Sequence, residues 1–282
     1  TLNEPLCSPW IGHLYGDMAP GITDLQTALN ASHHLLMSHG IASQITRSNV
    51  KDAKVGIVIN VNPAVPATDS EDDHRAATLA DGFDNRWFLN PVFGQSYPAD
   101  VIEPLGKSPQ IAAGDMTLIN QPMDFLGVNF YFRQTISSNP QGSPLPIKNI
   151  RRDNVKRTAM DWEVHAPAFE EILTRIHRDY KPREMYITEN GSAWNDVMVA
   201  GEIDDQERIS YLQSHLEAMF AAEKLGAPIC GYFAWSFMDN FEWAYGYDKR
   251  FGLVYVDYNS QKRTPKKSAH FYRDLLLNRT TR

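Results

Sequence analysis

Apolar and polar positions along the 282-residue chain follow two alternating rhythms. Short runs rich in β-branched and aromatic residues, Val55–Asn62, Phe125–Phe132, Met185–Glu189 and Ile229–Phe237, turn polar at their C-terminal ends. Such runs predict strands buried on both faces. Helical spacing fills the intervals. Asp24 is placed to cap a segment in which Leu25, Ala28, Leu29, Leu35 and Leu36 recur, with Gly40 as its stop. A second helix is expected over Asp69–Phe88, with acidic residues in its first turn that favour the helix dipole. Two more are expected over Pro167–Asp179 and Asp205–Leu225, and a last one after Pro265.

Strand followed by helix, repeated, predicts parallel α/β architecture, as an open doubly wound sheet or a closed barrel. A doubly wound nucleotide-binding sheet carries a glycine-rich phosphate loop after its first strand, and neither GxGxxG nor GxxxxGK[ST] occurs here. The barrel is therefore favoured. Its active face would be built from the long loops after the strands, Arg133–Met160 and Met238–Tyr258. Ser137–Pro146 reads as an excursion within a loop, so residues 1–282 are expected to form part of a single catalytic domain.

Composition narrows the chemistry. With 43% hydrophobic residues the chain can bury a core, and 27 basic against 34 acidic side chains leave a net charge of −7. That balance offers no basic excess to neutralise phosphates, which argues against nucleic acid. The longest apolar runs fall well short of the roughly 18–20 residues that span a bilayer, which argues against a membrane. Cys7 and Cys230 lie in no CxxC or Cys/His spacing, and a reducing, cytoplasmic location is expected. His33, His34 and His39 share a predicted helix without an HExxH motif, so no metal or cofactor is expected. No GxSxG motif occurs, Cys7 reads as a packing residue, and Lys266–Lys267 reads as a solvated basic pair.

The strand ends carry the candidate chemistry: Asn3 and Glu4, Asn60 and Asn62, Asn129 and Tyr131, Glu189 and Asn190, then Trp235. An arbitrary glutamate is a solvated surface group, but Glu4 precedes Pro5 and Glu189 precedes Gly191, so both sit where the backbone is constrained. Two carboxylates across one sugar can hydrolyse a glycoside, and a retaining mechanism needs them about 5–5.5 Å apart. At that range repulsion and burial should raise one pKa, leaving one group as acid and the other as nucleophile. Gly231–Tyr258 interleaves Trp235, Phe241, Trp243, Tyr245, Tyr247 and Phe251 with Asp239, Asn240 and Glu242. Aromatic plates beside a few carboxylates and amides suit a ring with apolar faces and a hydroxyl rim.

T-L-N-E-P at 1–5, I-T-E-N-G at 187–191 and W-S-F-M-D-N-F-E-W at 235–243 together resemble glycoside hydrolase family 1, the β-glucosidase family. Y-P-A-D at 97–100, L-G-V-N-F-Y at 126–131 and R-F-G-L-V-Y-V-D at 250–257 extend the resemblance over nearly the whole chain. It implies an α/β (β/α)8 TIM barrel, with this chain supplying the end of strand 4 and strands 5–8, and an N-terminal half-barrel segment completing the site. It further implies Glu4 as acid/base, Glu189 as nucleophile and Asn3 as a contact to the sugar 2-hydroxyl. Asn129 and Tyr131 would support the nucleophile. Trp235 would underlie the sugar, Glu242 and Trp243 would grip its outer hydroxyls, Phe251 would form an apolar wall, and Trp162 and Asn60 would line the aglycone entrance. Retention of a glutamate at position 4 favours O-glycosides over thioglycosides, and the charge of Glu242 disfavours a phosphorylated sugar. The implied substrate is a short β-glucoside or cello-oligosaccharide. Rival readings are a carbohydrate-binding remnant without activity and an endo-acting glycanase of another barrel family.

Overall fold

The computed structural model describes residues 1–279. Four parallel strands form the central sheet: β1 (Gly56–Asn60), β2 (Phe125–Phe130), β3 (Met185–Asn190) and β4 (Ile229–Ala234), in the order β1-β2-β3-β4. Each strand lies beside the one before it in sequence, the advance expected of a barrel wall. A fifth strand end joins at β1, where Asn3 bridges Val58 in parallel and the Glu4 amide donates to the Val58 carbonyl at 3.0 Å. All four expected strands form.

The helices are α1 (Leu25–Asn49), α2 (Glu71–Asp81), α3 (Pro167–Tyr180), α4 (Gln206–Lys224) and α5 (Lys267–Arg279), with shorter turns between them. Asp24 does cap α1, its carboxylate accepting from the Thr27 amide at 2.7 Å, a contact typically worth about 1 kcal/mol. Gly40 is not a stop. It sits in mid-helix against the Leu118 backbone, where an added Cβ would come within 1.9 Å of the carbonyl oxygen. The expected helix over Asp69–Phe88 is broken: Ser70 caps α2, which gives way to a wider turn over Gly82–Arg86 before a short helix at Trp87–Val92.

The core lies between the sheet and its helices. Ile57, Ile59, Leu126, Val128, Phe130, Met185 and Ile187 pack against Leu29, Leu36, Trp87, Phe88, Phe169 and Leu216. Phe130 stacks on Phe169 with ring centroids 4.6 Å apart, and burying side chains of this size contributes roughly 1.5–3 kcal/mol each. Alternation sends the intervening residues to the opposite face. A Cβ on Gly127 would lie 2.6 Å from Val58 Cγ2 and 2.9 Å from Thr188 Cγ2, so these three residues share that second, polar face.

Two expectations are corrected. The long loop after β2 holds a small side sheet in which Gln134–Ser138 pairs in parallel with Ala64–Pro66 and antiparallel with Ile147–Asn149. Asp73 of α2 clamps it, and hydrogen bonds from Thr68, Ser138 and Ser137 lower its pKa to about 2. Lys266 is not solvated but wholly buried, bridging Asp196 at 2.5 Å and Asp239 at 2.8 Å. Only Lys267 of that pair reaches solvent, where it meets Asp204 at 3.1 Å. Charged residues in runs usually face water; here the loop after β3 and the loop after β4 each bring a carboxylate that a buried cation must balance.

Candidate active site

The C-terminal ends of the strands bring both glutamates onto one hydrogen-bonded chain. Register places Asn60, Asn129 and Glu189 in a row across β1, β2 and β3. Asn129, wholly buried, donates through Nδ2 to Glu4 Oε1 at 2.8 Å and to Asn3 Oδ1 at 3.1 Å. Asn3 Nδ2 then donates to Glu189 Oε1 at 3.3 Å, and the Tyr131 hydroxyl donates to Glu189 Oε2 at 2.5 Å. One pair of amides therefore spans the gap between the carboxylates. Asn129 makes its direct bonds to Glu4 and Asn3, and its side chain also lowers the Glu189 pKa, less than Tyr131 and Asn3 do.

Glu4 is held in a left-handed backbone conformation, φ +50°, by its amide bond to Val58 and by the Cys7 amide, which donates to its carbonyl at 3.1 Å. Such a conformation costs a non-glycine residue of order 1–3 kcal/mol and persists where its surroundings enforce it. Gly191, expected to permit a sharp turn off the strand, has no positive φ. It allows close approach: a Cβ there would sit 1.8 Å from the Trp235 carbonyl oxygen.

The electrostatics separate the acidic groups. Burial raises the Glu189 pKa, the Tyr131 hydrogen bond opposes that, and the charge of Glu4 adds to it. Glu242 is pushed further, to about 7, first by burial and then by the charges of Glu4 and Glu189. That coupling ties the loop after β4 to the carboxylate pair. The repulsion expected between two carboxylates thus registers on Glu189 and Glu242. Burial also pushes the Cys7 thiol up, aided by Glu4, so it remains a neutral donor, 3.3 Å from Glu4 Oε2.

Trp235 is half-buried against Phe251, Met160 and Ala193, with Tyr131 and Trp162 beside them. Trp162 and Phe251 stand 5.9 Å apart, and Tyr131 lies 5.3 Å from Trp162, giving one continuous aromatic wall. Trp243 stands apart from it on a short turn, 66% exposed. Asn60 Oδ1 is buried with no hydrogen-bond partner within the chain.

Several supporting residues escaped sequence reasoning. Tyr211 of α4 donates to the Tyr131 carbonyl at 2.9 Å and accepts from Asn190 Nδ2 at 3.1 Å, bracing the residue that donates to Glu189 and the residue that follows it. Asp239, read only as a polar residue in the aromatic segment, is wholly buried and accepts from Arg250 at 2.5 Å and from Lys266. A buried ion pair across loops leaves no local pattern. Tyr211, on the apolar face of its helix, could have been found as a polar tip among core positions.

This strand order, with paired glutamates at the strand ends, is the layout of a barrel glycosidase. The chain belongs to glycosyl hydrolase family 1, whose model matches residues 1–281. It is 43% identical over 281 residues to a 1,4-beta-D-glucan glucohydrolase of Thermotoga neapolitana, covering 99% of this chain and 63% of that relative. Among solved structures, the AHE enzyme of Alicyclobacillus herbarius superposes with a TM-score of 0.96 at 42% identity. The Thermotoga maritima beta-glucosidase in complex with deoxynojirimycin superposes with a TM-score of 0.95 at 42% identity. Each comparison covers 99% of this chain and 63% of the other. The sheet described above is accordingly part of a (β/α)8 barrel, and the chain spans about 63% of the length of the curated relatives it matches.

Proposed function

We propose that this chain carries the two catalytic carboxylates of a retaining β-glucosidase acting on terminal, unphosphorylated β-glucosyl residues of short O-glucosides. The observation that carries this reading is the Asn3–Asn129 amide bridge joining Glu4 to Glu189, with Tyr131 holding the second Glu189 oxygen. Glu189 attacks the anomeric carbon as Glu4 transfers its proton to the departing glycosidic oxygen, leaving a glucosyl ester on Glu189 and a free alcohol. Glu4, now ionised, takes a proton from water as the water oxygen attacks the same carbon. The ester breaks, and both carboxyl groups return to their starting states.

The Glu189 nucleophile must be ionised, and its burial within this chain works against that. A cation contributed by the remaining barrel strands would offset it, in keeping with an N-terminal segment that completes the site. The outer edge of β4 supports such a segment: among the described residues no strand pairs with it, and Phe233 is 58% exposed there. In this reading the Asn3 amide meets the sugar 2-hydroxyl, Trp235 underlies the sugar, Phe251 forms an apolar wall beside it, and Glu242 with Trp243 grips the outer hydroxyls. Trp162 and Asn60 would border the aglycone.

The test is incubation of the chain, alone and joined to the remaining barrel length of its relatives, with a nitrophenyl β-glucoside. Release of nitrophenol by the joined form, and covalent capture of a 2-fluoroglucosyl inactivator at Glu189 in the mapped peptide, are expected. Capture at another residue, or an inert joined form, overturns the reading. Release by the joined form alone would assign the isolated chain a carbohydrate-binding role at most.

A further inference from the structure

The nucleophile strand carries an irregularity one residue before Glu189. Across β2 and β3, Val128 pairs with Ile187 and Asn129 pairs with Glu189, so Thr188 has no partner of its own. A bulge of this kind re-aims side chains, and such bulges gather at barrel rims and beside active sites. Here the Thr188 hydroxyl is delivered onto Asn129 Oδ1, to which it donates at 2.6 Å. Gly127 leaves the space that the threonine fills, since a Cβ at 127 would lie 2.9 Å from Thr188 Cγ2 and 3.0 Å from its hydroxyl oxygen.

That bond bears on the other glutamate. An amide presents a donor at one end and an acceptor at the other. With Oδ1 occupied by the Thr188 hydroxyl, Nδ2 faces Asn3 Oδ1 and Glu4 Oε1. Glu4 Oε1 then accepts, and the proton that Glu4 donates as an acid resides on Oε2, the oxygen beside Cys7 Sγ. Were the amide to turn over, Oδ1 would face Glu4. A protonated Glu4 could then spend its proton on Asn129 instead of a glycosidic oxygen.

We propose that Thr188 is a positioning residue for the acid/base: through Asn129 it fixes which Glu4 oxygen carries the proton, coupling the nucleophile strand to proton donation. The inference rests on the glycosidase reading above, and its effect falls chiefly on leaving-group assistance, because the aid Asn129 gives Glu189 is smaller than that of Tyr131 or Asn3. Good leaving groups depart with little protonation, whereas poor ones require it.

The test compares Thr188→Val and Thr188→Ser with the parent, each joined to the remaining barrel length, on aryl β-glucosides of graded leaving-group basicity. Thr188→Val should lower kcat/KM by about tenfold for unactivated phenyl glucosides and by less than about threefold for dinitrophenyl glucosides, a fraction of what general acid catalysis typically supplies. Thr188→Ser should restore the parent's leaving-group dependence. An equal loss across the series would indicate a packing role and overturn the inference. Turnover is not the only readout: the Asn129 side-chain amide resonances, assigned with Asn129→Ala, should shift or double in Thr188→Val and stay in place in Thr188→Ser. Unmoved resonances in the valine variant overturn the inference even if the parent hydrolyses no glucoside, a result that would instead sink the glycosidase reading.

Discussion

The strand-end cluster around Glu4 and Glu189 and the aromatic rim over Phe237–Tyr247 lie on the same side of the sheet and are built on opposite principles. In the cluster, Asn3, Asn129, Tyr131 and Thr188 pass hydrogen bonds from one strand to the next, and the sheet itself sets their spacing. On the rim, Phe237, Phe241, Trp243, Tyr245 and Tyr247 are exposed, and hydrogen bonds become dense only at the base, where Asp239 meets Lys266 and Arg250. Bond-making groups need fixed geometry before substrate arrives, because misplacement by about an ångström can cost 10²-fold in rate. Groups that hold a ring face need chiefly apolar area.

The contrast can be broken at its centre first. Glu189→Gln should abolish turnover of a nitrophenyl glucoside in the joined enzyme, by on the order of 10⁴-fold or more, while leaving the unfolding midpoint in place. Burst and steady-state kinetics beside a denaturant melt would check both halves. Lys266→Met attacks the base of the rim. Removing one partner from a buried ionic cluster should cost about 3–5 kcal/mol, read from urea unfolding, and a melt unchanged from the parent would contradict the anchoring role. Tyr131→Phe removes one bond to a charged oxygen. It should slow capture of a 2-fluoroglucosyl inactivator by roughly 10- to 100-fold and move the acidic limb of the rate profile to higher pH, since that bond opposes the rise of the Glu189 pKa.

Glu242 sharpens the comparison by pH. With its pKa raised to about 7, it is protonated below that value and ionised above it, so hydroxyl binding should weaken and KM rise as pH falls through about 7. Glu242→Gln should flatten that dependence. Folding carries the matching sign: a carboxyl raised above its unfolded value of 4.5 favours the folded state below 4.5, and that contribution is lost as pH rises to about 7. The smallest effect belongs to Trp243→Ala. At an exposed position, stability should stay within about 0.5 kcal/mol of the parent, with any change confined to KM.

Much of this arrangement was legible beforehand. Alternating β-branched runs and helical periodicity located β1 to β4 and the principal helices, because burial on both faces of a parallel strand constrains every residue in it. The motifs singled out Glu4 and Glu189 because Asn, Glu and Gly at a strand's end have few structural reasons to be there. Gly40 misled, since a glycine that permits close helix packing looks the same in sequence as one that ends a helix. Lys266 misled because a lysine beside a lysine reads as surface until two distant aspartates are folded onto it.

By itself, then, the sequence determined the alternation of strand and helix, the polar strand ends and the supply of acids, amides and aromatic rings, all of which depend on neighbours a few residues away. Only the tertiary structure decided which amides bridge the two glutamates, that the Thr188 hydroxyl donates to Asn129, and that a buried lysine ties two loops together. Those are contacts between residues tens to more than a hundred positions apart. Hydrogen bonds and ion pairs act over a few ångströms, and nothing local in a chain records which distant partner folding will bring within that reach.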